Sequence, residues 1–153
     1  MQLIEAKQIE TQSHIAIVVS RFTAEITEGL LHGTLERLQE LEVPKDNITI
    51  AHVPGAIEIP LTAQTLAKTQ EFDAIIALGA VVRGETDHYD YVCEQASHGC
   101  QRVMLEENIP VVFGILTTDN LDQARDRLGG KRGHKGRDAA DVAMEMISVL
   151  KQI

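Results

Sequence analysis

Six of the polar or titratable side chains in the stretch GAVVRGETDHYDYVC, residues 79–93, are crowded into the eight positions 83–90. They are Arg83, Glu85, Thr86, Asp87, His88 and Asp90. Thr86 or Asp87 can cap a following helix, and His88 then falls in its first turn. His88 is either a solvated surface residue or a proton carrier, because the charge of an imidazole changes near neutral pH. The helix N-terminus favours neutral imidazole and the nearby carboxylates favour imidazolium, so the sequence leaves its charge open.

A second stretch that could do chemistry is GGKRGHKGR at residues 129–137, with Arg127 just before it. It leads into a predicted helix, and a free backbone, a helix N-terminus and cationic side chains together bind anions well. The alternative is a solvated loop. No Walker sequence G-x-x-x-x-G-K-[ST] can be read there, so the pattern does not indicate a nucleotide phosphate loop.

Two further candidates follow apolar segments near the N-terminus. Phe22 comes directly after the segment HIAIVVS, and it serves either in the core or as a flat platform for a planar ligand. Glu58 lies in VPGAIEIP, after Pro54 and Gly55, where a ligand could closely approach the backbone. A carboxylate at the start of a helix also has a plain electrostatic role, and this alternative stays open.

These candidates follow segments that alternate between strand and helix patterns. The predicted strands are residues 14–20, 47–54, 74–82 and 110–116. The alternation predicts right-handed βαβ units, in which a parallel sheet lies between layers of helices. Ligands of such sheets bind outside the carboxyl ends of the strands. We therefore expect the site in the segments SRFT, HVPGAIE, VVRGETDH and FGILTTD.

The helical spacing also predicts which side chains face the core, and Asp119 is the expected cap of the helix after the fourth strand. The expected inward faces are Val92, Ala96, Cys100, Val103 and Met104; then Leu121, Ala124 and Leu128; and, in the last helix, Ala139, Ala143, Met146, Ile147 and Leu150.

Length and charge limit the classes of function. The chain of 153 residues has the size of one domain, which we expect to span residues 1–153. Its net charge of −9 argues against nucleic acid and anionic membranes as partners. The apolar runs are far short of the roughly 20 residues that span a bilayer. The first residues lack the pattern of a secretion signal, so a cytoplasmic location is expected.

The cysteine and histidine pattern offers no metal or disulfide chemistry. Cys93 and Cys100 lie seven positions apart in a predicted helix, about 10 Å along its axis, which is too far for a disulfide. The six histidines and two cysteines do not fall at the usual spacing of metal ligands. We therefore expect a metal-free site.

Five motifs, in order and over essentially the whole chain, resemble the lumazine synthase family (6,7-dimethyl-8-ribityllumazine synthase). They are SRFT, VPGAIEIP, LGAVVRGETDHYDYV, FGILTTDN and GHKG. The resemblance implies an α/β, flavodoxin-like three-layer sandwich with a four-stranded parallel sheet flanked by helices. It also implies a transferase that condenses 5-amino-6-(D-ribitylamino)uracil with 3,4-dihydroxy-2-butanone 4-phosphate, the penultimate step of riboflavin biosynthesis. Phosphate and water are released, and no metal or organic cofactor takes part.

The family's site residues carry over by position. The residues implied for the pyrimidine and its ribityl chain are Phe22, which stacks on the ring; Ala56, Ile57 and Glu58 along the ribityl chain; and Ala80, Val81 and Val82, whose backbone contacts the ring. Those implied for the second substrate and for proton transfer are Glu85 and Thr86 at the phosphate, His88 as proton donor and acceptor, Arg127 as phosphate ligand with Lys135 beside it, and Phe113 from the adjoining subunit.

The resemblance further implies a homo-oligomer, either a pentamer or a shell of twelve pentamers, with active sites between subunits and riboflavin synthase as a candidate partner. Three positions depart from the family. Thr23 stands where Asn is common, Ile57 where Phe is frequent, and Gly-His-Lys-Gly replaces Gly-Asn-Lys-Gly. The alternative functions are a self-assembling shell or a flavin- or pteridine-binding module without turnover. A third alternative is a flavodoxin-type electron carrier, but the segment after the first strand lacks the hydroxyl-rich phosphate loop that such a protein would need.

Overall fold

A computed structural model describes all residues 1–153 and contains one four-stranded parallel sheet between two layers of helices. The strands are β1 (Ile15–Ser20), β2 (Ile48–Val53), β3 (Ala74–Val82) and β4 (Val111–Thr118). The helices are α1 (Ala24–Glu40), α2 (Ile59–Lys68), α3 (His88–Glu107), α4 (Leu121–Asp126) and α5 (Lys135–Leu150). The strand order β2-β1-β3-β4 matches the flavodoxin-like type, so the predicted fold class is confirmed.

The two central strands are continuously apolar because helices cover both of their faces. In β1, Ile15, Ile17 and Val19 pack on the side of α1 and α5, whereas Ala16 and Val18 pack on the side of α2 and α3. All five side chains are fully buried. Complete burial of a Val or Ile side chain contributes about 1.5–3 kcal/mol, so packing on both faces strongly favours this position of β1 between the two helix layers.

A small antiparallel hairpin was not predicted from the sequence. The strands β5 (Leu128–Gly130) and β6 (Gly133–His134) form within the basic stretch between α4 and α5. The two glycines with positive φ, Gly129 and Gly133, permit this tight hairpin, which explains part of the glycine content of the stretch.

Several residues that were expected to face the core are exposed instead. Met104, Met146 and Leu150 are 37–41% exposed, and Leu121 is 38% exposed. The first three line an open apolar groove beside β4, together with Leu105. The sheet ends at β4, so the flanks of α3 and α5 extend past its covered surface.

The predicted cap of α4 was also wrong, and the fourth strand is longer than predicted. The side chain of Asn120, not Asp119, accepts a hydrogen bond from the Gln123 N–H at 2.9 Å. Thr117 and Thr118 pair with Val81 and Val82 in the sheet, so the expected exit segment begins two residues later.

The remaining structural expectations concern the membrane and the thiols. No helix is both long enough and apolar enough to cross a bilayer. Cys93 and Cys100 are free, as predicted. Burial raises the pKa of the Cys100 thiol to about 11 and also raises that of Cys93, so neither cysteine is a thiolate near neutral pH.

Candidate active site

The segment that directly follows the carboxyl end of a strand is called its exit here, and the exits of β1 and β2 are joined by backbone hydrogen bonds. Arg21 N–H donates to the Val53 carbonyl at 2.8 Å, and Phe22 N–H donates to the Pro54 carbonyl at 3.0 Å. The Phe22 side chain is 65% exposed and packs over Gly55, where an added Cβ would lie 2.7 Å from the ring. The structure therefore places Phe22 outside the core, and its role as a platform for a planar ligand stays a prediction; we call this exposed ring over Gly55 the Phe22 platform.

Thr23, which follows this platform, adopts a left-handed backbone conformation with φ 61° and ψ 49°. A β-branched residue is rarely found there, and such a conformation costs on the order of 1–3 kcal/mol. Its side chain makes no capping hydrogen bond to α1. The strain is therefore stored at the residue that turns the chain from the Phe22 platform into α1.

Glu58 holds the turn that precedes α2. Its Oε2 accepts a hydrogen bond from the Gly55 N–H at 2.9 Å, which fixes the turn under the Phe22 ring. Ala56 is buried within this turn, and Ile57 is 38% exposed. Glu58 thus holds this turn, its expected electrostatic role at the start of α2 stays a prediction, and the side chains of both Ile57 and Glu58 face solvent.

The end of β3 has an open backbone edge. Pairing with β1 ends at Leu78, whereas pairing with β4 continues to Val82. On the side of β1, the backbone of residues 80–82 therefore has no strand partner. A buried or ligand-covered backbone group requires a hydrogen-bonding partner, so this edge can bind a flat ligand that carries donors and acceptors.

The loop after β3 exposes its polar side chains. Glu85, Thr86 and His88 are all exposed, and the His88 N–H donates to Thr86 Oγ1 at 3.4 Å. Asp87 occupies the cap position of α3 but makes no side-chain cap bond. Of the two residues that could cap α3, Thr86 is the one whose side chain bonds to the helix start.

Arg83 accounts for another part of the polar content of this stretch. Its Nε donates to Asp119 Oδ1 at 3.1 Å, its Nη1 lies 3.6 Å from Asp90 Oδ1, and its guanidinium carbon lies 4.2 Å from the centre of the Tyr89 ring. These contacts tie the exit of β3 to the exit of β4 and to α3. The sequence alone does not indicate this structural role of Arg83, since Asp119 is distant in the chain.

The candidate residues therefore form two groups. The exit cluster lies where β1, β2 and β3 end, and it consists of Phe22, Ala56, Ile57, Glu58, Ala80, Val81, Val82, Glu85, Thr86 and His88. The edge groove lies along β4, has a volume of about 460 Å³, and includes Phe113, Arg127 and Lys135 among its lining residues. No residue of the exit cluster lines the edge groove.

The edge groove carries a free positive charge. Arg127 Nη1 donates to the Gln123 carbonyl at 2.7 Å, but no carboxylate lies within salt-bridge distance of Arg127. Lys135 Nζ lies 3.4 Å from Asp138 Oδ2, and the Lys135 N–H donates to the Arg127 carbonyl at 2.9 Å. The Phe113 side chain is 44% exposed. The groove can therefore bind an anion through Arg127 and offer an apolar ring beside it.

Comparison with known proteins finds relatives that match this chain over nearly its whole length. The family model described as 6,7-dimethyl-8-ribityllumazine synthase matches residues 12–151. Proteins named 6,7-dimethyl-8-ribityllumazine synthase from three strains of Coxiella burnetii (Dugway 5J108-111, CbuG_Q212, and RSA 493 / Nine Mile phase I) are each 54% identical over 144 residues. These matches cover 94% of this chain and 95% of each relative.

Proposed function

Because the chain belongs to the 6,7-dimethyl-8-ribityllumazine synthase family, we propose that it condenses 5-amino-6-(D-ribitylamino)uracil with 3,4-dihydroxy-2-butanone 4-phosphate. The product is 6,7-dimethyl-8-ribityllumazine, and the protein is a transferase of riboflavin biosynthesis. The reaction as proposed uses neither a metal nor an organic cofactor, since the amine of the pyrimidine is already a competent nucleophile.

The observation that carries this proposal is the open backbone edge of β3 beside the Phe22 platform. The pyrimidine has one flat face and a rim of donors and acceptors, and these match an exposed aromatic ring and unpaired backbone groups. In this arrangement the ring stacks on Phe22 and bonds to the backbone of residues 80–82. The ribityl chain extends along residues 56–58, whose turn is fixed by the bond between Gly55 and Glu58.

The loop after β3 supplies the proton carrier. Attack of the amine on the ketone, loss of water and ring closure each move a proton to or from an oxygen or nitrogen, and elimination of phosphate takes a proton from the carbon beside the imine. His88 is exposed in the first turn of α3, two residues after Thr86, and can exchange protons with bound substrates. Glu85 and Thr86 contact the phosphate-bearing substrate. Holding two substrates together supplies most of the acceleration, and His88 supplies a smaller share.

The edge groove supplies the anion site of a neighbouring subunit. In the proposed assembly, Arg127 binds the phosphate, Lys135 lies beside it, and Phe113 contacts the ring bound at the exit cluster of the adjacent chain. The proposal is supported by the free charge of Arg127 and by the exposed apolar groove next to Phe113, which includes Met104, Met146 and Leu150. Large exposed apolar patches commonly mark protein interfaces.

The proposed assembly is a homo-oligomer, either a pentamer or a shell of twelve pentamers, and sedimentation velocity separates these sizes. We further propose that residues 1–153 act as one domain in the cytoplasm, with riboflavin synthase as a partner that consumes the product. The single-domain proposal is supported by two apolar clusters that pack on opposite faces of the same sheet.

The direct test is to mix both substrates with the purified protein and to follow lumazine fluorescence together with phosphate release. We expect both signals to rise with equal stoichiometry and to depend on protein concentration. Tight binding of the pyrimidine without release of phosphate would contradict the enzyme and favour a binding module or a shell without turnover. Replacing His98, an exposed histidine on α3 that belongs to neither group, should leave both signals unchanged, so His98→Asn serves as the control for histidine variants.

A further inference from the structure

His134 lies where β6 ends and α5 begins, and its imidazole caps the helix. Its Nδ1 accepts hydrogen bonds from the Gly136 N–H at 3.2 Å and from the Arg137 N–H at 3.4 Å. A ring nitrogen that accepts a hydrogen bond carries no proton, so this geometry requires neutral imidazole with its proton on Nε2. An imidazolium would present an N–H to those two backbone donors, and the cap would be lost.

The position of the imidazole is determined by α1. A Cβ at Gly33 would overlap the His134 ring, so the ring packs directly against the backbone of α1. Thr34 Oγ1 donates to the Gly136 carbonyl at 2.9 Å, which ties the first turn of α5 to the same helix. His134 is therefore held in one orientation by its surroundings rather than free in solvent.

The cap is connected to both cations of the edge groove. Lys135 is the next residue, and its N–H donates to the Arg127 carbonyl at 2.9 Å. His134 itself pairs with Leu128 in the β5–β6 hairpin, directly after Arg127. The start of α5 thus determines how Lys135 lies relative to Arg127, and His134 stabilises that start.

We propose that His134 is a positioning residue for the phosphate-bearing substrate: its neutral form caps α5 and holds Lys135 beside Arg127, and its protonation releases the cap and weakens anion binding. The inference rests on the proposed function, because it assigns the edge groove to the phosphate. It also predicts an effect of the departure from the family at this position, where His134 of Gly-His-Lys-Gly stands in place of the commoner Asn. Asn caps a helix at any pH, whereas His caps it only when neutral.

The charged groups around the imidazole set the pH at which the cap is lost. Arg137 and Asp138 approach it from α5, and Glu36 approaches it from α1. Burial, followed by the charge of Arg137, lowers the pKa of His134 below its ordinary value, and a backbone hydrogen bond of His134, then Asp138 and Glu36, oppose this only partly. Because the folded pKa is lowered, the cap is fully present above the ordinary histidine pKa of about 6.5. It is lost as the pH falls through the lowered pKa.

The test compares His134→Ala with His134→Asn in the intact assembly. An N-cap contributes about 1 kcal/mol, so we expect His134→Ala to raise KM for the phosphate-bearing substrate by about 5-fold at pH 7.5. The KM for the pyrimidine and kcat should stay within about twofold, because the exit cluster is untouched. His134→Asn should restore the KM of the wild type. Equal KM values in the Ala variant and the wild type would overturn the proposal.

The pH profile separates a proton-dependent cap from a purely structural one. As the pH falls from 8.0 to 5.8, the KM ratio of the wild type to His134→Asn should rise from one towards the roughly 5-fold increase of His134→Ala, and the His98→Asn control should follow the wild type. Taking the ratio cancels the titration of the substrate phosphate. A ratio that stays constant with pH would contradict the proton-dependent cap, even where His134→Ala fails to fold.

Binding of inorganic phosphate by calorimetry tests the inference independently of turnover. We expect weaker binding to His134→Ala than to His134→Asn, and a wild-type affinity that falls towards pH 5.8 relative to the Asn variant. If the protein lacks the proposed activity, this affinity difference still reports on His134. Equal affinities in all three proteins would overturn the inference while leaving the proposed function intact.

Discussion

The exit cluster and the edge groove differ in what holds them in place. In the exit cluster, backbone bonds join Phe22 to Pro54 and Gly55 to Glu58, and the β3 backbone is fixed by its pairing with β4. The edge groove instead presents partly exposed side chains along a strand whose outer edge has no partner. The first group is thus organised within one chain, whereas the second offers a charge and an aromatic ring to something outside it.

Because of this difference, the two groups suit different parts of the substrates. Rigid backbone suits the recognition of a flat ring, because its donors and acceptors cannot move away. Cationic side chains suit a phosphate, because hydrogen bonds between charged groups are stronger than those between neutral ones. If the two groups meet only across subunits, the exit cluster alone should bind the pyrimidine but perform little chemistry.

The largest expected effect is on proton transfer at the exit cluster. His88→Ala should lower the single-turnover rate by roughly 100-fold, near the lower end of the range for general acid–base catalysis. Measurable turnover should remain, because binding still holds the two substrates together. A rapid-quench comparison with the wild type checks this. Complete loss of turnover in a correctly assembled variant would show that proximity supplies less than proposed.

The sharpest test of the division between subunits is to mix two impaired variants and to assay them with the phosphate-bearing substrate well below its KM, where both are slow. His88→Ala and Arg127→Ala subunits, refolded together in equal amounts, should recover about a quarter of the wild-type activity, because a quarter of the subunit interfaces then pair an intact His88 with an intact Arg127. Each variant refolded alone is the control. No recovery in the mixture would show that both residues serve a site within one chain.

A smaller effect is expected at the edge groove. Arg127→Ala should raise KM for the phosphate-bearing substrate by roughly 10-fold, because a hydrogen bond to a charged group contributes about 1.5–3 kcal/mol. The KM for the pyrimidine should change little. The matched control is Arg102→Ala, which removes a surface arginine paired with Glu106 on α3. An unchanged KM for the phosphate-bearing substrate would exclude Arg127 as its ligand.

A change at the Phe22 platform should affect KM for the pyrimidine rather than KM for the phosphate-bearing substrate. Phe22→Ala removes a stacking surface, which is worth about 1–3 kcal/mol per base, so KM for the pyrimidine should rise by about 5-fold or more. The KM for the phosphate-bearing substrate should stay near the wild-type value. Phe72 is partly buried against the apolar cluster between the sheet and helices α2 and α3, so Phe72→Ala should lower stability without this selective change in KM. Equal changes in both KM values would contradict the separation of the two groups.

The smallest effect concerns the strain beside the platform. Thr23→Asn should raise the free energy of unfolding by about 0.5–1 kcal/mol, because Asn adopts the left-handed conformation more readily than a β-branched residue. Thermal unfolding at fixed protein concentration measures this, with Thr65→Asn on α2 as the control. A lower midpoint for Thr23→Asn would show that the strained conformation is not costly here.

Much of the fold was predictable because its signals are local. The four apolar strands and the five helical segments follow from periodicity, and their alternation predicts the parallel sheet. The sequence predicted the site at the exits of all four strands, and candidate residues of the first three exits lie at one end of the sheet. Their role as a site stays a prediction. The choice between Asn120 and Asp119 as the cap of α4 was not predictable, because Arg83 binds Asp119 from a distant part of the chain.

The sequence by itself determined the layers of the sandwich and the chemical types of the candidate residues, because strand and helix periodicity and residue identity are properties of short segments. Only the tertiary structure decided that Met104, Met146 and Leu150 are exposed, that Phe22 lies outside the core, and that Arg127 lies apart from His88 along the edge of the sheet. Those outcomes depend on where the sheet ends and on which helices cover it, and pairing between distant segments sets both.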